Sequence, residues 1–272
     1  ENLAAHQDDP RLRLVVVDLR DDFAAALAGL PRPDAVLHLA AQVSVPRSLR
    51  DPVQDLDINL RATVRVLQWA AAAGVRRVVL ASSAAVYGDP ARMPVSEDMC
   101  DRPAAPYGAS KRAAELYLAC LGPALAVETV ALRLFNVYGP RQDPSSPYSG
   151  VVSLFMARAL GGEPLTVLGD GAQTRDFVYV GDVARAFAAA MDTPGVDGLI
   201  ANIGSERATT IAELAAAVVT ATGGRSPIVH APARAGDIVR SLADASRARA
   251  ALGWAAELSL AEGLARTLAW LG

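Results

Sequence analysis

Tyr107 and Lys111 stand four residues apart in Tyr107-Gly108-Ala109-Ser110-Lys111, and Lys111 is the only lysine among 26 basic residues. Every other basic residue is an arginine. A lysine ammonium is a compact point charge with three rotatable donors, which a planar guanidinium cannot imitate. On a helix, positions i and i+4 share a face, so the phenol and the ammonium would point the same way. A neighbouring cation favours phenolate and lowers a tyrosine pKa from about 10 toward the range of a general base. A surface tyrosine and a solvated lysine would fit the same spacing. Ser82 and Ser83 sharpen it: they follow an apolar run in Ala81-Ser82-Ser83-Ala84-Ala85-Val86-Tyr87-Gly88. If that run is a strand, the serines lie at its carboxyl end, where open α/β sheets bind ligands. A serine there is more often part of a turn, but with Tyr107 and Lys111 it completes a Ser-Tyr-Lys set.

The elements that must position these residues are legible as alternating strands and helices. Leu12–Val17, Ala35–Ala40, Arg77–Ser82 and Val127–Leu134 are nearly continuous apolar runs, expected of parallel strands covered on both faces. Leu56, Leu60, Val64, Leu67 and Ala71 predict an amphipathic helix from about 52 to 73, stopped by Gly74. The helix carrying Tyr107 and Lys111 is expected to run to about Leu121 and end at Gly122-Pro123. Beyond Gly139-Pro140 a loop rich in Pro, Ser and Gly precedes a short helix near Val151–Leu160. Thr210-x-x-Glu213 and Ser259-x-x-Glu262 predict capping boxes, and Gly223-Gly224 ends the first of these helices. The expected fold is α/β, a doubly wound parallel sheet of Rossmann type with a smaller C-terminal lobe. The main domain is read as residues 1–138 and 177–202, with Phe177–Met191 and Leu199–Ile203 returning to the main sheet. The lobe takes residues 139–176 and 203–272.

Composition narrows the function. The chain has 272 residues, is 52% hydrophobic and carries a net charge of −3 with scattered arginines. That is a globular chain with no basic stripe for nucleic acid and no apolar run long enough to span a bilayer. Cys100 and Cys120 show no metal or disulfide spacing and read as free thiols of a reducing cytoplasm. His6, His38 and His230 are far apart, so no metal site is expected, and His38 reads as a packed or hydrogen-bonded residue at a strand end.

His38-Leu39-Ala40-Ala41, Asn59 in the long helix, the Ser83–Gly88 segment and Tyr107–Lys111 stand in order along the chain. After them come Leu132–Pro140, Thr174-Arg175-Asp176-Phe177-Val178-Tyr179-Val180 and Arg234-Ala235-Gly236-Asp237. In these motifs the chain resembles the extended short-chain dehydrogenases/reductases, and within them the nucleotide-sugar epimerase/dehydratase branch, from about Asp18 to its end. The resemblance implies bound NAD and a UDP-sugar substrate. It implies Tyr107 as base at the sugar 4-hydroxyl, Lys111 on the nicotinamide ribose lowering the phenol pKa, and Ser83 on the same sugar hydroxyl. Asp18 and Leu19 would meet the adenine, Ala40 and Ala41 would let backbone approach the cofactor, and Leu39, Asn59, Ala81 and Phe135 would complete the cofactor site. Asn136 would lie near the substrate phosphates, Arg175 and Arg234 would neutralise the pyrophosphate, and Asp237 would hold the nucleotide ribose. Ser44, Val151, Val167 and Ser241 are the remaining implied substrate contacts. A homodimer through the helices at about 52–73 and 107–121 is also implied.

Two departures shape the expectation. The family opens with a strand, a Gly-x-x-Gly-x-x-Gly turn and a helix, whereas the first glycine here is Gly29. A strand–helix–strand unit of roughly 30 residues or more is expected to precede Glu1 in a longer protein; the rival is a truncated, cofactor-less binding protein. The residue that would choose NAD over NADP is lost with it. The dehydratases place an acid and a base after the Ser/Thr, and the decarboxylases a Glu, where this chain has Ala84-Ala85. What remains is chemistry needing only Ser, Tyr, Lys and a nicotinamide, which is 4-epimerisation. A net reductase is the other enzymatic reading, disfavoured by the two arginines. Ser241 lies seven residues after Arg234, where plain-hexose epimerases tend to carry Tyr. The smaller side chain predicts room for an N-acetyl group.

Overall fold

A computed structural model describes residues 2–99, 102–143, 150–233 and 238–271. Its main sheet has four parallel strands in the order β1-β2-β3-β7: β1 Ala35–His38, β2 Arg77–Ser83, β3 Glu128–Leu134 and β7 Leu199–Ile203. Helices α4 (Ala62–Ala72) and α5 (Pro106–Leu125) cover one face, closing Leu67, Val78, Leu80, Ala114 and Leu118 into one core. Helices α7 (Val180–Asp192) and α9 (Ser246–Leu252) cover the other, where Val79, Leu132, Phe187 and Trp254 pack together. Strands buried on both faces need apolar residues at every position, and that is why the runs were continuous. The doubly wound sheet is as expected.

The lobe holds a three-stranded sheet of β4 (Asn136–Tyr138), β6 (Thr174–Tyr179) and β8 (Ala208–Thr210), and a β5–β9 pair (Leu165–Leu168 with Ile228–Ala231). Helices α6 (Val151–Leu160), α8 (Ile211–Ala221) and α10 (Leu260–Leu271) enclose its core around Phe155, Leu214 and Leu264. Both capping boxes form: Thr210 with Glu213 opens α8, and Ser259 with Glu262 opens α10. Three short helices, α1 (Phe23–Ala26), α2 (Val45–Arg50) and α3 (Pro52–Leu56), complete the set.

Four expectations are corrected. Leu12–Val17 is not a strand; no neighbouring strand pairs with it, and Leu14 and Val16 are 69% and 91% exposed. The helix expected over 52–73 is α3, a π-helical turn over Asp57–Arg61, and α4. The α5 helix runs through Gly122-Pro123 to Leu125 and ends at Ala126 in the left-handed conformation, whose N–H bonds the carbonyls of both residues. Gly122 is required for another reason: a Cβ there would lie 2.8 Å from the Thr129 methyl at the start of β3. Finally, Phe177 sits in β6, which pairs with β4 in the lobe rather than with the main sheet, while α9 and Trp254 leave the lobe for the main core.

Candidate active site

Ser82 and Ser83 end β2, and alternation along the strand sends them to opposite faces. Ser82 points under α5 and donates to the buried Glu115 carboxylate. Ser83 faces a cavity of about 340 Å3 that is also lined by Tyr107, Phe135, Asn136, Arg175 and Ser241. The Ser83 hydroxyl accepts the Ala85 N–H at 3.2 Å, fixing the 3-10 turn Ala84–Tyr87 that follows. Gly108 lets α5 close onto that turn, since a Cβ there would sit 2.4 Å from the Ala85 carbonyl oxygen. A side chain at 108 would push Tyr107 away from Ser83.

Lys111 lies one helical turn on, 3% exposed, with Nζ donating to the Ala81 carbonyl at 2.9 Å. Burial pushes its pKa down to about 8, while the Asp55 and Glu115 carboxylates hold it up. Burial pushes the Tyr107 phenol above its ordinary value; the Ser83 hydroxyl opposes this and Asp55 adds to it. Among the chain's own groups burial wins, and a fall toward neutral pH needs a further positive charge beside the ring.

His38 ends β1 in the same buried region, its Nε2 3.0 Å from the Thr63 hydroxyl. That hydroxyl donates to the Asn59 carbonyl, so it accepts from His38 and the ring is neutral with its proton on Nε2. Burial, and then the Lys111 charge, push its pKa down to about 4. The unfolded chain binds this proton first, so the contribution is complete above the ordinary histidine pKa and is lost as pH falls toward 4. Denaturant midpoints should drop across that window, by a free energy on the order of 3 kcal/mol. His38→Gln should flatten the drop, and an unchanged slope would show that another group titrates.

Asp18, Leu19, Ala40 and Ala41 line a second cavity of about 510 Å3 beside β1. Leu39, next to it, is exposed. Arg20 grips the Asp18 carboxylate and holds its pKa at about 2. A wall of aliphatic side chains, three of them alanines, with an exposed carboxylate suits a flat nucleoside carrying a diol, and Lys111 has donors to spare beyond Ala81. These residues fit a nicotinamide dinucleotide.

Several implied contacts are placed elsewhere. Asn59 is 1% exposed, and its amide exchanges hydrogen bonds with the Gln42 backbone in both directions at 2.9 Å. It pins the loop after β1 rather than facing a ligand. Ser44 caps α2 by accepting the Arg47 N–H, and its neighbours Val43 and Val45 line the cavity instead. Val167 is fully buried in the lobe core, because β5 turns alternate residues inward; Val151 packs against the same core. Arg234 and Asp237 lie outside the described residues, as does Cys100; Cys120 is exposed and unpaired.

Sequence reasoning missed Arg240, which lines the main cavity beside Ser241. It also missed Asp55, which binds Gln42, Asn59 and Ser110. The i, i+4 spacing of Asp55 and Asn59 was the available signal. Among the described residues no group of His, Cys, Asp or Glu is placed to hold a metal, and no helix is long and apolar enough to cross a membrane.

Residues 1–204 match the NAD dependent epimerase/dehydratase family. A UDP-glucose 4-epimerase of Mycolicibacterium smegmatis is 40% identical over 269 residues, covering 98% of this chain and 85% of its own. The crystal structure of a Thermotoga maritima UDP-glucose 4-epimerase with UDP-glucose superposes with a TM-score of 0.89 at 36% identity, covering 94% of this chain and 82% of that one. A UDP-N-acetylglucosamine 4-epimerase from Methanobrevibacter ruminantium gives 0.88 at 33%, covering 94% and 81%. With this parallel sheet and a cavity shared by Ser83 and Tyr107, the chain belongs to the NAD dependent epimerase/dehydratase family.

Proposed function

We propose that the chain is a UDP-sugar 4-epimerase with Tyr107, Ser83 and Lys111 as its catalytic set. The observation that carries this is the composition of the main cavity wall. Tyr107 and Ser83 face the cavity together, and Ala84 and Ala85 face it with methyl groups that transfer no proton. Elimination of water from the sugar needs a second acid and base; inversion at carbon 4 does not. NAD supplies a reversible hydride acceptor when bound, held by Lys111 and by the cavity of Asp18, Leu19, Ala40 and Ala41. Tyr107 takes the proton of the sugar 4-hydroxyl and gives it back to the same oxygen, so the chemistry has no net redox change. Ser83 orients that oxygen. Lys111 keeps a positive charge behind the phenol and so favours its ionised form. Arg175, whose guanidinium is steadied by the Thr174 and Ile238 carbonyls, suits the substrate pyrophosphate, with Asn136 beside it.

The substrate pair follows from Ser241. A hydroxymethyl group on the cavity wall leaves space where a phenol would fill it, and its hydroxyl can meet an amide. UDP-N-acetylglucosamine and UDP-N-acetylgalactosamine are therefore expected to interconvert alongside UDP-glucose and UDP-galactose. NMR of the NAD-loaded protein with each UDP-sugar tests this; a 4-keto-6-deoxy sugar as main product would overturn the epimerase reading. Ser241→Tyr should cut turnover of the N-acetylated pair by about tenfold or more through overpacking, and spare the plain pair. Equal loss of both activities, or of neither, would show that Ser241 is not the gate.

A further inference from the structure

Asp55 belongs to a buried polar cluster with Gln42, Asn59 and Ser110, yet the proposed chemistry gives it no task. Its carboxylate is 1% exposed and forms no ion pair among the described residues. One oxygen accepts Gln42 Nε2 at 2.7 Å and Asn59 Nδ2 at 3.1 Å; the other accepts the Ser110 hydroxyl at 2.6 Å. Gln42 in turn donates to the Ser44 carbonyl at 3.0 Å and receives the Ser44 N–H, so it braces the loop that presents Val43 to the cavity. Ser110 lies in the single helical turn between Tyr107 and Lys111. A buried carboxylate without a cationic partner costs several kcal/mol unless something nearby repays it.

We propose that Asp55 is a positioning residue for the Tyr107–Lys111 pair, fastening the turn between them to the cavity loop and supplying the counter-charge for the buried ammonium. This rests on the function proposed above. Of the two carboxylates that hold Lys111 up, Asp55 is the one with no ion pair among the described residues. Glu115 on α5 is committed to Arg133 of β3 and to Arg112. His38 of β1 is neutral, Tyr87 of the 3-10 turn donates to Asn202, and Arg47 of α2 binds Gln54. Asp57 and Arg61 of the π-helical turn pair with each other, and Arg65 of α4 reaches the Arg20 carbonyl. The Asp55 charge pushes both Tyr107 and Lys111 upward.

Asp55→Asn separates charge from shape. An amide can still accept from Gln42 and Asn59 and can donate to Ser110, whose own proton can pass to the Tyr107 carbonyl 3.0 Å away. With the charge gone, both Tyr107 and Lys111 titrate lower. The acid and alkaline limbs of the kcat profile should both move down by about one pH unit. Near-ultraviolet phenolate absorbance, read as the difference from the Tyr107→Phe protein, should move the same way without any turnover. Ser110→Ala keeps the charge and removes the tether to α5. It should lower kcat about tenfold at nearly constant KM and leave both limbs in place. Unmoved limbs and an unmoved phenolate titration in Asp55→Asn would overturn the inference. So would a wild-type rate in Ser110→Ala, which decides the matter if Asp55→Asn does not fold. An active Tyr107→Phe protein would instead overturn the proposed function, and an inactive one with unmoved Asp55→Asn limbs would remove only the role of Asp55.

Discussion

Tyr107→Phe should lower kcat of the NAD-loaded protein by a factor of about 10² to 10⁴ while the fold and the affinity for UDP-sugar persist. The ring is buried against the 3-10 turn after β2, and phenylalanine keeps that packing. What disappears is the phenol hydroxyl that shares the cavity with Ser83 and is proposed to carry the sugar's proton. Ser83 cannot replace it, because among the described residues the cavity wall holds no carboxylate or histidine to take the serine's own proton. Ala84 and Ala85 offer nothing further. The loss corresponds to about 3–5 kcal/mol of transition-state stabilisation. It should fall on kcat, with KM nearly unchanged, since the proton moves only during the chemical step. Thermal melting and substrate titration of the variant would separate a missing base from a damaged fold. Turnover within a few-fold of wild type would remove Tyr107 from the mechanism.

The single lysine and the strand-end serines were the most legible part of this protein, and physical reasons explain why. A buried ammonium on the same helix face as a buried phenol leaves a fixed spacing, and a parallel strand leaves a continuous apolar run. Both patterns are local. The residues that sequence reasoning placed wrongly depend on distant partners. Asn59 faces inward because Gln42 offers it a free backbone N–H and carbonyl seventeen positions away. Val167 is buried because β5 pairs with β9, about sixty residues later, and that pairing sets which alternate side chains face the lobe core. Leu12–Val17 has strand composition, but strand formation needs a partner's hydrogen bonds and none of the described strands provides them. Gly122-Pro123 carries strong stop signals, yet the helix gains one more turn before it closes locally, with the Ala126 and Val127 N–H groups bonding the Gly122 carbonyl. Asp55 was passed over because a lone acid in a helix pattern reads as surface, and only the three-dimensional meeting of Gln42, Asn59 and Ser110 shows otherwise.

Glu115→Ala should destabilise the fold by about 3–5 kcal/mol, a large share of the roughly 5–15 kcal/mol that holds a domain together. Glu115 is 1% exposed and accepts Arg133 Nε at 3.0 Å and Nη2 at 2.7 Å, together with the Ser82 hydroxyl and Arg112 at 3.2 Å. Arg133 is itself buried in β3, and a guanidinium cannot shed its proton to escape. Removing the carboxylate takes the anionic partner from that charge in the core, while the face of Tyr87 stays 4.7 Å away. Arg112 is partly exposed and can turn to water, so its share of the loss is small. The expected cost is thus the stranded charge on Arg133 rather than the broken pair. That distinction has a test in the double variant Glu115→Ala/Arg133→Met. Removing the charge along with its partner should return a substantial part of the stability lost in the single variant. Urea unfolding of the three proteins measures the difference. A single variant within about 1 kcal/mol of wild type would mean that water reaches Arg133 through the space Glu115 vacates. A double variant no better than the single would place the cost in the Ser82 hydrogen bond and the cavity left under α5, and would overturn the stranded-charge account.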